Sequence, residues 1–344
     1  MNILAIIPAR SGSKSVPDKN IRSMNGKPML AYSIDHAKQS KWINRVIVST
    51  DSEQYAEIAK TYGAEVPFLR PLKYAQDNSP DIDVFYHVLT ELKKTEGYEA
   101  DIIVHLRPTC PFRRIQDLDN MIEWMLSDNY CDCIRSITVA KEIPYKMWLK
   151  SGEKQITPLV SDIPECYNMP RQKLPKAYYQ NASIDIIRPR VILEERSMTG
   201  KVIYGYEMED IYDIDTEEEW KQAEEKLRRE EVFKKIASGG LRFVFDIDGV
   251  IAKIHPKNQY DQSEPNQEMI DLINRLYEYG NEIILYTARG YTTGIDWSKV
   301  TRQQLSRWGL NYHELHFGKP NASYYIDDRM LDMNYLTRLM EEHK

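Results

Sequence analysis

Short apolar runs rich in β-branched residues recur along the chain at 3–7 (ILAII), 45–49 (RVIVS), 102–106 (IIVHL) and 134–139 (IRSITV), each of strand length. Segments with helical spacing separate most of them, at 29–40, 53–62 and 115–127. In the last, Ile115, Leu118, Met121, Ile122 and Met125 form one apolar stripe. Strands alternating with helices predict an α/β fold in which crossover helices cover the sheet.

From Glu217 to Lys235 the pattern changes: seven acidic and six basic residues are intermixed, with Trp220, Ala223 and Leu227 at helical spacing. Such a segment reads as a solvated helix with one packed edge. The "SGG" at 238–240 ends it, and a second, smaller alternation follows: strand 241–245, helix 266–279, strand 282–287, helix 297–308 and strand 323–326. The pattern divides the chain into a domain at 1–225, a charged helical linker at 226–240 and a second domain at 241–344.

Composition narrows the partners. At 344 residues, 42% apolar and 28% charged, the chain is long enough for two domains with separate cores. A formal charge of −6 argues against a broad nucleic-acid surface and leaves small anions as ligands of local basic clusters. The apolar start meets Pro8 and Arg10 too early for a membrane span and in the wrong order for a secretory signal, so a cytoplasmic location and no membrane partner are expected. Cys110, Cys131, Cys133 and Cys166 show no zinc spacing, and the seven histidines no HExxH, so these read as structural.

Two stretches carry phosphate chemistry. The strand "ILAIIP" delivers the chain into "ARSGSKSVPDKN", where Ser11, Gly12 and Ser13 can present backbone N–H groups and Arg10, Lys14 and Lys19 add positive charge. A loop of this kind at the end of a strand suits a nucleoside triphosphate, although GxxxxGK[ST] is absent. The second stretch, "RFVFDIDGVIAKIHP" at 242–256, ends an apolar run in two aspartates and a glycine, as a magnesium-dependent phosphate site requires.

"IPARSGSKSVPDKNI" resembles the signature of the acylneuraminate cytidylyltransferase family, the CMP-sialic acid synthetases, and "FLRPLKYAQDNSPDIDV", "HLRPTCPFR", "PRQKLPKAYYQNASIDI" and "YDIDTEEEW" resemble its later motifs in the same order. The resemblance covers roughly residues 1–225 and implies a Rossmann-like nucleotidyltransferase domain that joins CTP to an acidic, nonulosonic sugar and releases pyrophosphate. It implies that Arg10 and Lys19 contact the triphosphate and that Asn20, Arg70 and Ser79 enclose the cytidine. Asp213 and Asp215 fall on its Mg2+-binding pair, and alternate residues of an extended segment do place two carboxylates on one side. Arg171, Gln172, Tyr179 and Asn181 lie in the segment expected to meet the acceptor. Where the common pattern has QPTSP this chain has "RPTCP", so Arg107 replaces a neutral glutamine that faces the acceptor. A phosphonate or polyol phosphate is therefore an alternative acceptor.

"FDIDGVI", "IILYTAR", "FGKP" and "YYIDDR" resemble, in order, the four motifs of the haloacid dehalogenase (HAD) phosphotransferases. The resemblance implies Asp246 as nucleophile and Asp248 as acid and base, with Thr287 and Lys319 holding the phosphoryl oxygens. Magnesium would be held by Asp246, the Asp248 carbonyl and Asp327, with Asp328 nearby. Short insertions leave no room for a cap, so a small capless HAD-like α/β domain is expected. Its phosphatase would act on the phosphorylated sugar precursor, in a bifunctional, homo-oligomeric enzyme. The alternative is a domain that serves oligomerisation alone.

Overall fold

The computed structural model describes residues 1–209, 213–254, 259–322, 324–325 and 328–343. They fall into two compact units, Met1–Glu224 and Glu225–Lys344. Among the described residues no helix is long and apolar enough to cross a membrane.

The first unit contains strands β1 (Ile3–Pro8), β2 (Ser23–Met24), β3 (Lys27–Pro28), β4 (Arg45–Ser49), β5 (Ile102–Leu106), β6 (Cys133–Val139), β7 (Trp148–Ser151), β8 (Gln155–Pro158), β9 (Tyr178–Ile187) and β10 (Ile203–Glu207). Its helices are α1 (Met29–Gln39), α2 (Glu53–Thr61), α3 (Asp81–Glu96), α4 (Ile115–Ser127) and α5 (Pro189–Leu193). Six strands form one sheet in the order β10-β6-β9-β5-β1-β4, while β2-β3 and β7-β8 are separate hairpins. Only β9 runs antiparallel to its neighbours in the large sheet.

Both faces of this sheet are covered. Ile3, Ala5 and Ile7 of β1 enter one core with Ile102, Val104 and Leu106, whereas Leu4 and Ile6 enter the other with Ile103, Val88 and Leu92. Burial on both sides explains why these strands read as unbroken apolar runs rather than as alternation. In this unit helices α3 and α5, strands β9 and β10 and the hairpins β2-β3 and β7-β8 escaped the reading of the sequence.

Helix α6 (Glu217–Ala237) contains the charged segment. Trp220 and Ala223 are buried, and the Arg22 guanidinium lies 4.5 Å from the Trp220 ring centroid.

In the second unit, β11 (Arg242–Phe245), β12 (Glu282–Thr287) and β13 (Glu314–Phe317) form a parallel sheet in that order, with α7 (Gln267–Glu278), α8 (Ser298–Arg307) and α9 (Met333–Glu341). Ile270, Ile273, Leu276, Ile283, Leu285 and Leu339 are central to its core. The expected strand at 323–326 falls partly outside the described residues, and Tyr324 and Tyr325 lie in no strand. The third strand is instead β13, whose half-exposed "ELHF" lacks a continuous apolar signature.

Candidate active site

A cavity of about 580 Å³ opens at the carboxyl ends of β1 and β5, where the parallel strands deliver the "ARSGSK" loop and the "RPT" turn. Arg10, Ser13, Lys14, Lys19, Asn20 and Arg70 line one part of it, with Ser79, Arg107, Asp213 and Asp215. Gly12 holds the loop in a left-handed turn at φ +72°, where a Cβ would strain the backbone. Ser11 and Gly12 do not line the cavity. The Ser11 N–H and hydroxyl both donate to Asp51, at 2.8 and 2.6 Å.

Arg10, Lys14, Lys19 and Arg107 are paired with carboxylates. Arg10 and Lys14 both pair with Asp77, the former at 2.8 Å. Lys19, nearly buried, donates to the Ile214 carbonyl and to Asp215, each at 2.8 Å. Arg70 is anchored on Ser49, with Nε 3.1 Å from its hydroxyl, and burial pushes its guanidinium down to about 10. Ser79 caps its own turn by accepting from the Gln76 N–H at 3.0 Å.

Arg107 reaches Asp81 at 3.3 Å and the buried Asp185 at 3.4 Å, and Arg135 donates to Asp185 at 3.0 and 3.2 Å. Burial alone would raise the Asp185 carboxyl. The adjacent His105 ring and the Arg135 and Arg107 guanidiniums outweigh it and hold the carboxylate well below the usual range. The turn that presents Arg107 is clamped by Arg113, which donates to the carbonyls of Ser183 and Cys110 and to the Ser33 hydroxyl, each at 2.8 Å, and to the Arg107 carbonyl. Burial lowers Arg113 to about 10.

Of the acceptor residues expected from the sequence, Arg107 lines the cavity and the other four lie elsewhere. Arg171 donates to the Ala140 and Lys141 carbonyls, and Gln172 and Tyr179 are exposed outside the cavity. Asn181 is buried. Its amide accepts from the Ser136 hydroxyl and the Ser183 N–H and donates to Thr138. These bonds satisfy the backbone where β6 shifts register against β9 and Ala182 turns left-handed at φ +57°. The polar side chain is spent on the fold at this position.

Asp213 has the attributes of a cation ligand. Its Oδ1 is buried with no hydrogen-bond partner among the described residues, and burial raises its carboxyl. An unpaired buried carboxylate oxygen is costly unless a cation or donor reaches it. With Asp215 it supplies two hard oxygen donors, which fits Mg2+, an ion that commonly takes its remaining ligands from phosphate and water. Among the described residues no group of three or more His, Cys, Asp or Glu is arranged to hold a metal by itself.

In the second unit, Asp246, Asp248, Thr287 and Lys319 lie at the ends of their strands and in the loops that follow. Gly249, at φ +91°, turns the chain after Asp248. Asp246 pairs with Lys319 at 2.5 Å, and the Lys319 N–H donates to the Thr287 carbonyl at 3.1 Å. The Thr287 side chain is fully buried and its hydroxyl accepts from the Arg289 N–H. Asp248 is gripped by Arg289, at 2.7 and 2.8 Å. Asp328 is exposed, and Asp327 lies outside the described residues.

Asp77, Arg113, Asp185 and Arg289 were not singled out from the sequence. All four stand inside or beside quoted motifs, but their pairing is visible only in three dimensions.

Comparison with known proteins bears on the first unit. The chain is 34% identical over 238 residues to CMP-N,N'-diacetyllegionaminic acid synthase of Legionella pneumophila, a match covering 66% of this chain and 97% of that protein. It is 33% identical over 224 residues to post-translational flagellin modification protein B of Campylobacter coli, covering 64% and 93%. A solved structure of CMP:2-keto-3-deoxy-manno-octonic acid synthetase complexed with CTP shares the fold at 17% identity, with a TM-score of 0.52 over 67% of this chain and all of that one. Residues 4–236 match the family described as Cytidylyltransferase, and the chain belongs to that family.

Proposed function

We propose that residues 1–225 transfer the cytidylyl group of CTP to the hydroxyl of an acidic, nonulosonic-type sugar, forming a CMP-sugar and pyrophosphate. The observation that carries this reading is the cavity in which Arg10, Lys14, Lys19 and Arg70 face Asp213 and Asp215. The acceptor oxygen attacks the α-phosphorus while the bond to the pyrophosphate oxygen breaks, so negative charge grows on the leaving group. Arg10 and Lys14 exchange Asp77 for phosphate oxygens, and that charge meets cations already in place. Asp213 and Asp215 would hold Mg2+, which supplies further neutralisation of the triphosphate.

The name of the Legionella pneumophila relative, a CMP-N,N'-diacetyllegionaminic acid synthase, supports an acidic sugar as acceptor. Arg107, held between Asp81 and Asp185, is already neutralised by carboxylates, which favours a positioned hydrogen-bond donor over a free anion receptor. Incubating the full chain with CTP, Mg2+ and a panel of nonulosonic acids and phosphonates, and measuring pyrophosphate, tests the assignment. Release with none of the acids, or only with a phosphonate, rejects it.

For residues 241–344 we propose a HAD-type phosphatase acting on a phosphorylated precursor of the same sugar. The Asp246–Lys319 pair beside Asp248 and Thr287 supports it, because a nucleophilic carboxylate facing a phosphate needs a neighbouring cation. Mg2+ would be held by Asp246 and the Asp248 carbonyl. Equal phosphate release by the wild type and Asp246→Asn rejects this half and leaves an oligomerisation role.

A further inference from the structure

Arg289 follows Thr287 by two residues, and its side chain has no solvent exposure. Its Nε and Nη2 meet the two oxygens of Asp248 at 2.8 and 2.7 Å, a bidentate fork that fixes the plane of the carboxylate. The remaining nitrogen, Nη1, donates to Gln304 Oε1 at 2.8 Å and to Thr301 Oγ1 at 3.2 Å, both on α8. The Tyr260 ring lies 4.9 Å from the guanidinium, and Gln304 also donates to the Tyr260 carbonyl at 2.5 Å. Each nitrogen is engaged, and no phosphate ester can reach a group so enclosed.

We propose that Arg289 is a positioning residue that aims the Asp248 carboxyl group at the leaving oxygen of a phosphate ester. The inference rests on the phosphatase reading of the second unit. In the first step an Asp246 oxygen bonds to phosphorus as the ester P–O bond breaks, and Asp248 passes its proton to the departing oxygen. In the second, Asp248 takes a proton from water as that water attacks phosphorus and releases Asp246. Both transfers require the same carboxyl oxygen in line, and the fork sets that direction. The two α8 side chains and Tyr260 fix the fork in turn.

Leaving-group dependence separates aiming from mere structural support. An alkoxide departs only with a proton, whereas nitrophenolate departs without one. The full chain is assayed with Mg2+ on glucose 6-phosphate and on p-nitrophenyl phosphate, comparing kcat/KM, which reports the first chemical step. For Arg289→Gln we expect a loss on the order of 10²-fold on the sugar phosphate, the usual scale of acid catalysis, and less than about tenfold on the nitrophenyl ester, a skew matching that of Asp248→Asn. Gln304→Ala, which loosens the arginine without removing it, should skew in the same direction by less, and it decides the matter if Arg289→Gln does not fold. Equal losses on both esters, or none on either, overturn the inference. A wild-type rate no higher than that of Asp246→Asn rejects the phosphatase reading itself, a result recognisable because it needs no Arg289 variant.

Discussion

Replacing Asp185 by asparagine tests whether the charge under the cavity is structural. The carboxylate is 1% exposed and receives two hydrogen bonds from Arg135 and one from Arg107. Asparagine keeps the shape, loses the charge and turns an NH2 toward guanidinium donors, leaving two cations facing a neutral group. Breaking a buried pair costs about 3–5 kcal/mol. Arg107 and Arg135 retain 22% and 23% side-chain exposure and can partly rehydrate, so the lower end, about 3 kcal/mol, applies. At roughly 2–4 °C per kcal/mol for a domain of about this size, the first unit should melt about 6–12 °C lower. Calorimetry of the full chain with and without CTP identifies that transition as the one CTP raises. The pH dependence has a definite sign. Asp185 is depressed in the folded state, so its contribution is present above the unfolded value of about 3.9 and is lost as pH falls further, through the folded value. The gap between variant and wild type should narrow only below about pH 4. A gap under about 2 °C at pH 7, or one that closes near neutrality, would refute the reasoning.

Two further outcomes follow from the cavity. Because burial raises the Asp213 carboxyl and a metal takes its ionised form, Mg2+ competes with a proton there, and at subsaturating Mg2+ CTP-dependent pyrophosphate release should fall with decreasing pH. Asp213→Asn should lower the rate by about 10²-fold and remove that limb, and a pH profile with the limb intact assigns it to another group. Asp77→Asn frees Arg10 and Lys14, so CTP should bind more tightly by calorimetry without metal, and the gain should shrink with added salt. Unchanged affinity at low salt would show that the pairing does not compete with phosphate.

Legibility followed burial. β1, β4 and β5 stood out because side chains on both faces of the sheet are covered, which makes a nearly continuous apolar run, and β6 stood out by its β-branched Ile134, Ile137, Thr138 and Val139. β9 opens with the polar "YYQN", β10 reads "IYGYE" and β13 "ELHF", and each leaves a partly exposed face that dilutes the signal. At the cavity, the glycine-bearing basic loop could be proposed from its own residues, whereas the "DIDT" aspartates were proposed from the family resemblance, with which their alternate spacing agrees. The pairings of Asp77 with Arg10, Asp185 with Arg135 and Arg289 with Asp248 were not, since each joins residues 41 or more positions apart. Asn181 shows the reverse: a polar residue in a motif-bearing stretch whose partners prove to be Ser136, Thr138 and its own strand.

The reversed direction of β9 bears on how the rim of the cavity can vary. Tyr178 pairs with Val139 while Ile184 pairs with Leu106, so the incoming end of β9 overhangs the same rim at which β1 and β5 let go of the chain. Residues upstream of Tyr178 can thus be exchanged or lengthened at that rim without rewiring the basic loop after β1. One scaffold can keep that loop constant while the opposite lip changes.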